Sequence, residues 1–107
     1  MPPNWPITNS GKAPTPPRIE IKAANGDTTD VKITNTTTSL FVRFAGTITN
    51  GNTLVIDHAK RTVKNGGANG LNDFTGSFWD LVTGINNLEY SGPSGVNVLT
   101  YWTERYP

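Results

Sequence analysis

The sequence has no cysteine and little charge, and each shortage excludes a class of function. Without cysteine, the 107-residue chain has no disulfide and no thiolate for catalysis or metal binding, so its fold rests on packing. The net charge is +1 and the largest basic cluster is the pair Lys60 and Arg61. A nucleic-acid-binding domain would carry a stronger basic patch. No hydrophobic run approaches the roughly 20 residues that span a bilayer, so neither nucleic acid nor a membrane is predicted as a partner.

Groups for catalysis and metal binding are also scarce. His58 is the one histidine, and it follows Asp57 in a predicted turn, where we expect both side chains to be solvated. The acidic residues are scattered over predicted strands and turns, without the close carboxylate pair of a glycosidase. Asn72, Asp73 and Asp80 offer oxygen ligands but lack the regular spacing of a calcium-binding loop. We therefore expect no catalytic residue, no cofactor and no metal.

The residues that are abundant favour strands joined by tight turns. The chain has 11 glycines and is rich in threonine and asparagine, whereas hydrophobic residues make up 35%. Ile19 and Ile21 alternate with polar residues, as in a half-buried strand. Asn25–Gly26 and Asn50–Gly51 are interpreted as the turns of two hairpins, and residues 57–60 as a third turn. About seven or eight strands at this spacing predict an all-β sandwich or barrel.

The chain divides into a proline-rich lead-in, residues 1–17, and one β domain, residues 18–107. Six of the eight prolines lie in the lead-in, where they remove backbone hydrogen-bond donors. A disordered terminus and a short edge strand held by Trp5 and Ile7 both fit this composition.

Aromatic residues supply the expected core and the expected contacts. One residue of each of three pairs is expected in the core: Phe41 or Phe44, Phe78 or Trp79, and Tyr101 or Trp102. The segment of residues 66–84 is predicted to be a long loop with at most a short helical turn, and a candidate contact surface. The candidate contacts with a partner protein or a glycan are Phe78, Trp79, Asp80 and Trp102.

The closing strand is unusual because apolar residues lie on both of its faces. In residues 96–102, the alternation places Val98 and Trp102 on one face and Leu99 and Tyr101 on the other. This pattern predicts a strand inside a sheet, with a neighbour on each side.

Four segments occur in an order that is similar to a known viral domain. They are residues 9–21, with an Asn-x-Gly sequence and a proline-ended spacer; residues 51–66, with G-x-T-L-x-I-D, R-x-V and N-G; residues 80–88; and residues 98–106. Together they resemble the C-terminal domain of siphovirus distal tail proteins over residues 7–107. Thr83 stands where that family usually has proline.

The resemblance implies an antiparallel β-sandwich, galectin-like or jelly-roll-like, without enzymatic activity. It implies a protein made in the host cytoplasm and located in the virion, at the phage tail tip or baseplate, where it docks neighbouring tail or baseplate proteins. Family members form a hexameric ring through an N-terminal domain that these residues do not include, so the isolated domain is expected to be a monomer.

The alternative is a carbohydrate-binding module that attaches the tail to host cell-wall polysaccharide, with Trp79 or Trp102 as stacking platforms. Residues 58–61 and 102–105 only approach the sugar-binding patterns of galectins.

Overall fold

The computed structural model describes residues 4–93 and 95–103 and has two five-stranded antiparallel sheets. The predicted antiparallel β-sandwich is thereby confirmed. The strands are β1 (Asn4–Asn9), β2 (Arg18–Ala23), β3 (Thr28–Asn35), β4 (Leu40–Ile48), β5 (Thr53–Asp57), β6 (Thr62–Asn65), β7 (Ala68–Asn69), β8 (Phe74–Gly76), β9 (Gly84–Ser91) and β10 (Val96–Tyr101). The first sheet has the order β1-β9-β3-β4-β8, and the second has the order β10-β2-β5-β6-β7.

The strand count exceeds the predicted seven or eight because β7 and β8 have only two and three residues. Such short strands carry no readable alternation. The helical turn allowed in this region is a single 3-10 turn at Leu71–Asp73. No helix in the described part of the chain is long and apolar enough to cross a membrane.

The two predicted Asn-Gly hairpins are wrong. β2 and β3 lie in opposite sheets, as do β4 and β5, so both turns carry the chain across the sandwich. The turns support each other, since the N–H of Gly26 donates to Asn50 Oδ1 over 3.0 Å. The N–H of Gly51 donates to the C=O of Ala23 over 2.8 Å. An Asn-Gly pair specifies positive φ and a tight reversal, but it does not specify which strands pair afterwards.

Two other turns do close hairpins. Residues 58–61 join β5 to β6, one residue later than the predicted turn of residues 57–60, with Asp57 opposite Thr62. The polar run after β3 turns the chain into β4, with Asn35 opposite Leu40.

The core lies between the sheets and is built from the inward residues of the alternating strands. Phe44 is buried and Phe41 is half-buried, so this aromatic pair behaves as predicted. The fully buried side chains are Phe44, Ile19, Ile21, Ile33, Ile48, Leu54, Ile56, Leu81, Leu88, Val31, Val42 and Val63.

The described part of the lead-in, residues 4–17, contacts both sheets: β1 belongs to the first sheet, and the C=O of Pro17 accepts the N–H of His58 at the end of β5 in the second. β1 is the edge strand next to β9, and Ile7 and Asn9 on its inner side are buried. The side chain of Asn9 then holds the following turn, because its Nδ2 donates to the C=O of Ala13 over 3.1 Å and its Oδ1 accepts the N–H of Gly11 over 3.0 Å. This contact gives the Asn-x-Gly sequence a structural role.

The interior position predicted for the closing strand is wrong. Among the described residues, β10 is an edge strand that pairs only with β2, from Val96 opposite Ala23 to Tyr101 opposite Arg18. Its inward residues reach the core, but its outward residues are not covered by any described part of the chain: Leu99 is 54% exposed. An apolar outward face on an edge strand is therefore a feature that the fold alone does not explain.

A candidate partner-binding surface

The segment of residues 77–81 carries three of the four predicted contacts and is fixed at three points. The N–H of Ser77 donates to the C=O of Phe41 over 3.0 Å. The backbone N–H of Trp79 donates to Nδ1 of His58 over 2.9 Å. Leu81 then makes two backbone hydrogen bonds with Thr15, of 2.7 and 3.0 Å. The segment is thus attached to β4, to the end of β5 and to the lead-in, and its position is defined by the fold.

His58 is a packing residue, and the expectation of a solvated turn histidine is wrong. The side chain is only 4% exposed, and its ring centroid lies 4.5 Å from that of Trp79 and 5.6 Å from that of Phe78. Burial lowers the pKa of His58 to about 4, although the nearby Asp57 carboxylate acts in the opposite direction. The sequence signal for burial was present, because Leu54, Ile56 and His58 continue one alternation.

The four predicted contacts have different environments. Trp79 is 2% exposed and presents no free ring face. Phe78 is half-buried and stacks on Phe74, with ring centroids 4.7 Å apart. Asp80 is exposed. Of the candidate contacts, Phe78, Asp80 and Trp102 therefore remain accessible.

Trp102 extends an exposed apolar edge that begins in β10. Trp102 is 36% and Tyr101 43% exposed, so the expectation that one of the two lies in the core is wrong. Thr15 connects this edge to the segment of residues 77–81, since its hydroxyl donates to the C=O of Thr103 over 2.7 Å. We call Leu99, Tyr101 and Trp102 the apolar edge.

Asn86 explains why residues 80–88 form a recognisable motif. It is fully buried, and its Oδ1 accepts the N–H of Val82 over 2.9 Å and the Nδ2 of Asn35 over 3.1 Å. Its own Nδ2 donates to the C=O of Val82 over 2.8 Å. One side chain thereby satisfies both backbone groups of the residue that precedes Thr83.

Asn86→Ala should lower the free energy of unfolding by about 2–3 kcal/mol, because it leaves buried donors and acceptors without partners. Asn87→Ala is the matched control, since Asn87 is exposed and its truncation should change stability by less than about 0.5 kcal/mol. Urea unfolding of the two variants checks this prediction. Equal effects would show that the Asn86 network is not structurally important.

Charge is divided unevenly between the two sheets. Basic side chains dominate the second sheet and its β5–β6 turn: Arg18, Lys22, Lys60, Arg61 and Lys64, against Glu20 and Asp57. On the first sheet, Asp30 and Arg43 form a two-bond ion pair of 2.7 and 2.8 Å, and this contact lowers the pKa of Asp30. Within residues 4–93 and 95–103, no three potential metal ligands cluster.

Two packed antiparallel sheets, with a buried histidine and an exposed apolar edge beside a basic face, define a β-sandwich domain. The chain belongs to the family of siphovirus-type tail components, as their C-terminal domain, because the family model matches residues 10–106. The resemblance seen in the sequence is thereby confirmed.

Among solved structures, the chain is similar to the SPP1 Dit (gp 19.1) protein, described as a paradigm of the hub adsorption apparatus in phages that infect Gram-positive bacteria. The TM-score is 0.72 at 16% sequence identity, and the match covers 94% of this chain and 43% of that protein. The likeness shows a shared fold, and this chain spans less than half the length of that protein. No curated protein matches the chain.

Proposed function

We propose that this domain is a non-enzymatic structural module of the virion that docks neighbouring tail proteins at the phage tail tip or baseplate, within a hexameric full-length protein. The observation that carries the proposal is the apolar edge: Leu99, Tyr101 and Trp102 are 54%, 43% and 36% exposed on a domain whose core is already filled. Exposed apolar residues that lie together are typical of interaction sites. Membership of a tail-component family supports a tail protein as the partner.

The state of His58 supports a non-enzymatic role. Its Nδ1 accepts the backbone N–H of Trp79, and its pKa of about 4 leaves it neutral near pH 7. A general base needs access to substrate as well as a pKa near the working pH. Burial removes both from the one histidine of the chain.

Trp102→Ala, introduced into the full-length tail protein, should reduce the number of infectious phage by about tenfold or more, because exposed tryptophans are frequent hot spots of protein interfaces. Plaque counts and negative-stain microscopy of tails measure the effect. Ile85→Ala is the matched control, since Ile85 is 60% exposed but lies on β9 in the other sheet. Normal titres for Trp102→Ala, with an unchanged melting temperature of the domain, would contradict the docking proposal.

One observation favours the carbohydrate-binding alternative. Trp102 borders a shallow depression that Arg18, Asp57 and Thr103 also line, and this mixture of an aromatic ring and polar groups suits a sugar. Trp79 and His58 are buried and contribute no contact.

Titration with host cell-wall polysaccharide should then change the tryptophan fluorescence of the native domain but not that of Trp102→Phe. Identical titrations for both would remove this alternative.

A further inference from the structure

Three of the four sheet edges formed by the described residues are protected against pairing with another strand, and β10 is not. β7 and β8 have two and three residues, too few to pair extensively, and on the part of β4 that β8 leaves uncovered the C=O of Thr47 already accepts Asn65 Nδ2. β1 is as long as β10 but contains Pro6, which pairs with Asn87. Both backbone groups of Asn87 make hydrogen bonds with the turn that follows β3, on the side away from β1, so Pro6 faces the open side with no N–H to offer. β10 contains no proline and no lysine or arginine, the usual edge protections.

The hydrogen-bonding phase of β10 shows which backbone groups are free. The C=O of Gly95 accepts the N–H groups of Ala24 and Asn25, so it points toward β2. The N–H and C=O of Ala23, opposite Val96, are directed instead at the chain beside β5. Antiparallel pairs alternate, so residues 97, 99 and 101 bond to β2 and residues 96, 98 and 100 point their N–H and C=O groups outward. These outward groups form a template for one more strand.

The side chains beside this template define the chemistry of an added strand. Leu99 and Tyr101 face outward and are exposed, and the guanidinium of Arg18 lies 4.5 Å from the centre of the Tyr101 ring. Lys22 is directly opposite Asn97 and makes no ion pair with a described residue. A strand added to β10 would lie about 10 Å from β2. A glutamate on the added strand, opposite Asn97, could form an ion pair with Lys22 across this distance, because the side chain of Asn97 between them is short.

We propose that β10 accepts an extended segment of another tail protein as a sixth strand of the second sheet. The segment carries an acidic residue opposite Asn97 and apolar residues opposite Leu99 and Tyr101. This inference rests on the proposed docking function and specifies how one partner binds. Strand addition of this kind gains affinity from main-chain hydrogen bonds and specificity from alternate side chains.

Charge favours this occupant over a second copy of the domain. Pairing β10 with β10 of another copy would join two second sheets into one, with both basic faces on a continuous surface. A single strand pair also buries much less than the roughly 800 Å² per partner of a stable dimer. An acidic segment avoids both the charge repulsion and the need for a large interface. Its carboxylate neutralises Lys22, and the rest of its parent protein can hold it in place.

Amide hydrogen exchange with synthetic peptides tests the inference on the isolated domain, and on the full-length protein if the domain does not fold alone. The probes are Thr-Glu-Thr-Val-Thr-Val-Thr and its reversed sequence, one for each strand direction. Excess peptide should slow exchange of the outward amides of Val98 and Thr100 by about tenfold. The amide of Leu99, already bonded to β2, is the internal reference. Leu99→Lys should abolish the protection, whereas Ile85→Lys, at a similarly exposed residue on the other sheet, should preserve it.

Three outcomes would overturn the inference. The first is that neither peptide protects the outward amides. The second is that peptides in which lysine replaces glutamate protect them equally. The third is protection that rises with protein concentration when no peptide is present, because this would identify a second copy of the domain as the occupant. Because the Trp102→Ala phage test does not depend on these amides, failure here leaves the docking proposal to be judged separately.

Discussion

Acidification from pH 7 to pH 4 should remove about 3 kcal/mol of stability from this domain through His58 alone. The pKa of His58 is about 4 in the folded protein, below its ordinary value of 6.5, because burial disfavours the charged ring. The unfolded chain therefore takes up a proton before the folded one does. The stabilisation is complete above pH 6.5 and is lost as the pH falls toward 4, at about 1.4 kcal/mol for each unit between the two pKa values.

Urea unfolding at intervals between pH 7 and pH 4 measures this loss, and His58→Gln provides the comparison. Glutamine can still accept the N–H of Trp79 but does not titrate, so its free energy of unfolding should fall less steeply over this range. Asp30, whose pKa is lowered by its hydrogen bond with Arg43, is far from this change and is common to both proteins, so its contribution cancels. Parallel curves for the two proteins would show that His58 titrates normally and is not buried.

Phe44→Ala should lower the free energy of unfolding by about 3–5 kcal/mol, a large fraction of the roughly 5–15 kcal/mol that stabilises a domain of this size. The Phe44 ring is 1% exposed and fills the space above two glycines: a Cβ atom at Gly46 or Gly70 would come within 2.7 or 2.9 Å of it. Truncation would leave a cavity that the surrounding strands can close only in part.

Phe41→Ala is the control for this prediction. Phe41 is half-buried on the outer face of the same strand, where the ammonium of Lys32 lies 4.5 Å from its ring centre. Its removal should cost about 1 kcal/mol, because it loses a cation–π contact on the outer face of the sheet but no core packing. Urea midpoints that fall equally for the two variants would place Phe44 outside the core.

The sequence predicted individual strands well because alternation reports burial directly. Ile19, Ile21, Val31 and Ile33 alternate with polar residues and are all buried. It did not predict which strands pair, since each Asn-Gly pair marks a reversal without distinguishing a hairpin from a crossing between sheets. Pairing in a sandwich is decided by contacts between residues far apart in sequence.

The candidate contacts, like the strands, were predicted only in part from the sequence. Phe78 and Trp79 were predicted as candidate contacts because they are aromatic, but the position of their segment depends in part on His58, which is distant in sequence and resembled a turn residue. The sequence also predicted Trp79 and Trp102 alike as candidate contacts, because both are tryptophans. Only the fold separates them, with Trp79 in the core and Trp102 at an edge.

Docking through the apolar edge is tested most directly by hydrogen exchange of residues 96–103 in intact phage tails and in the isolated domain. If a neighbouring tail protein covers this edge, exchange of these amides should be slower in the tail by about tenfold or more. The β3–β4 turn, residues 36–39, should exchange at the same rate in both samples. Equal exchange of residues 96–103 in the tail and in the isolated domain would contradict a docking role for this edge.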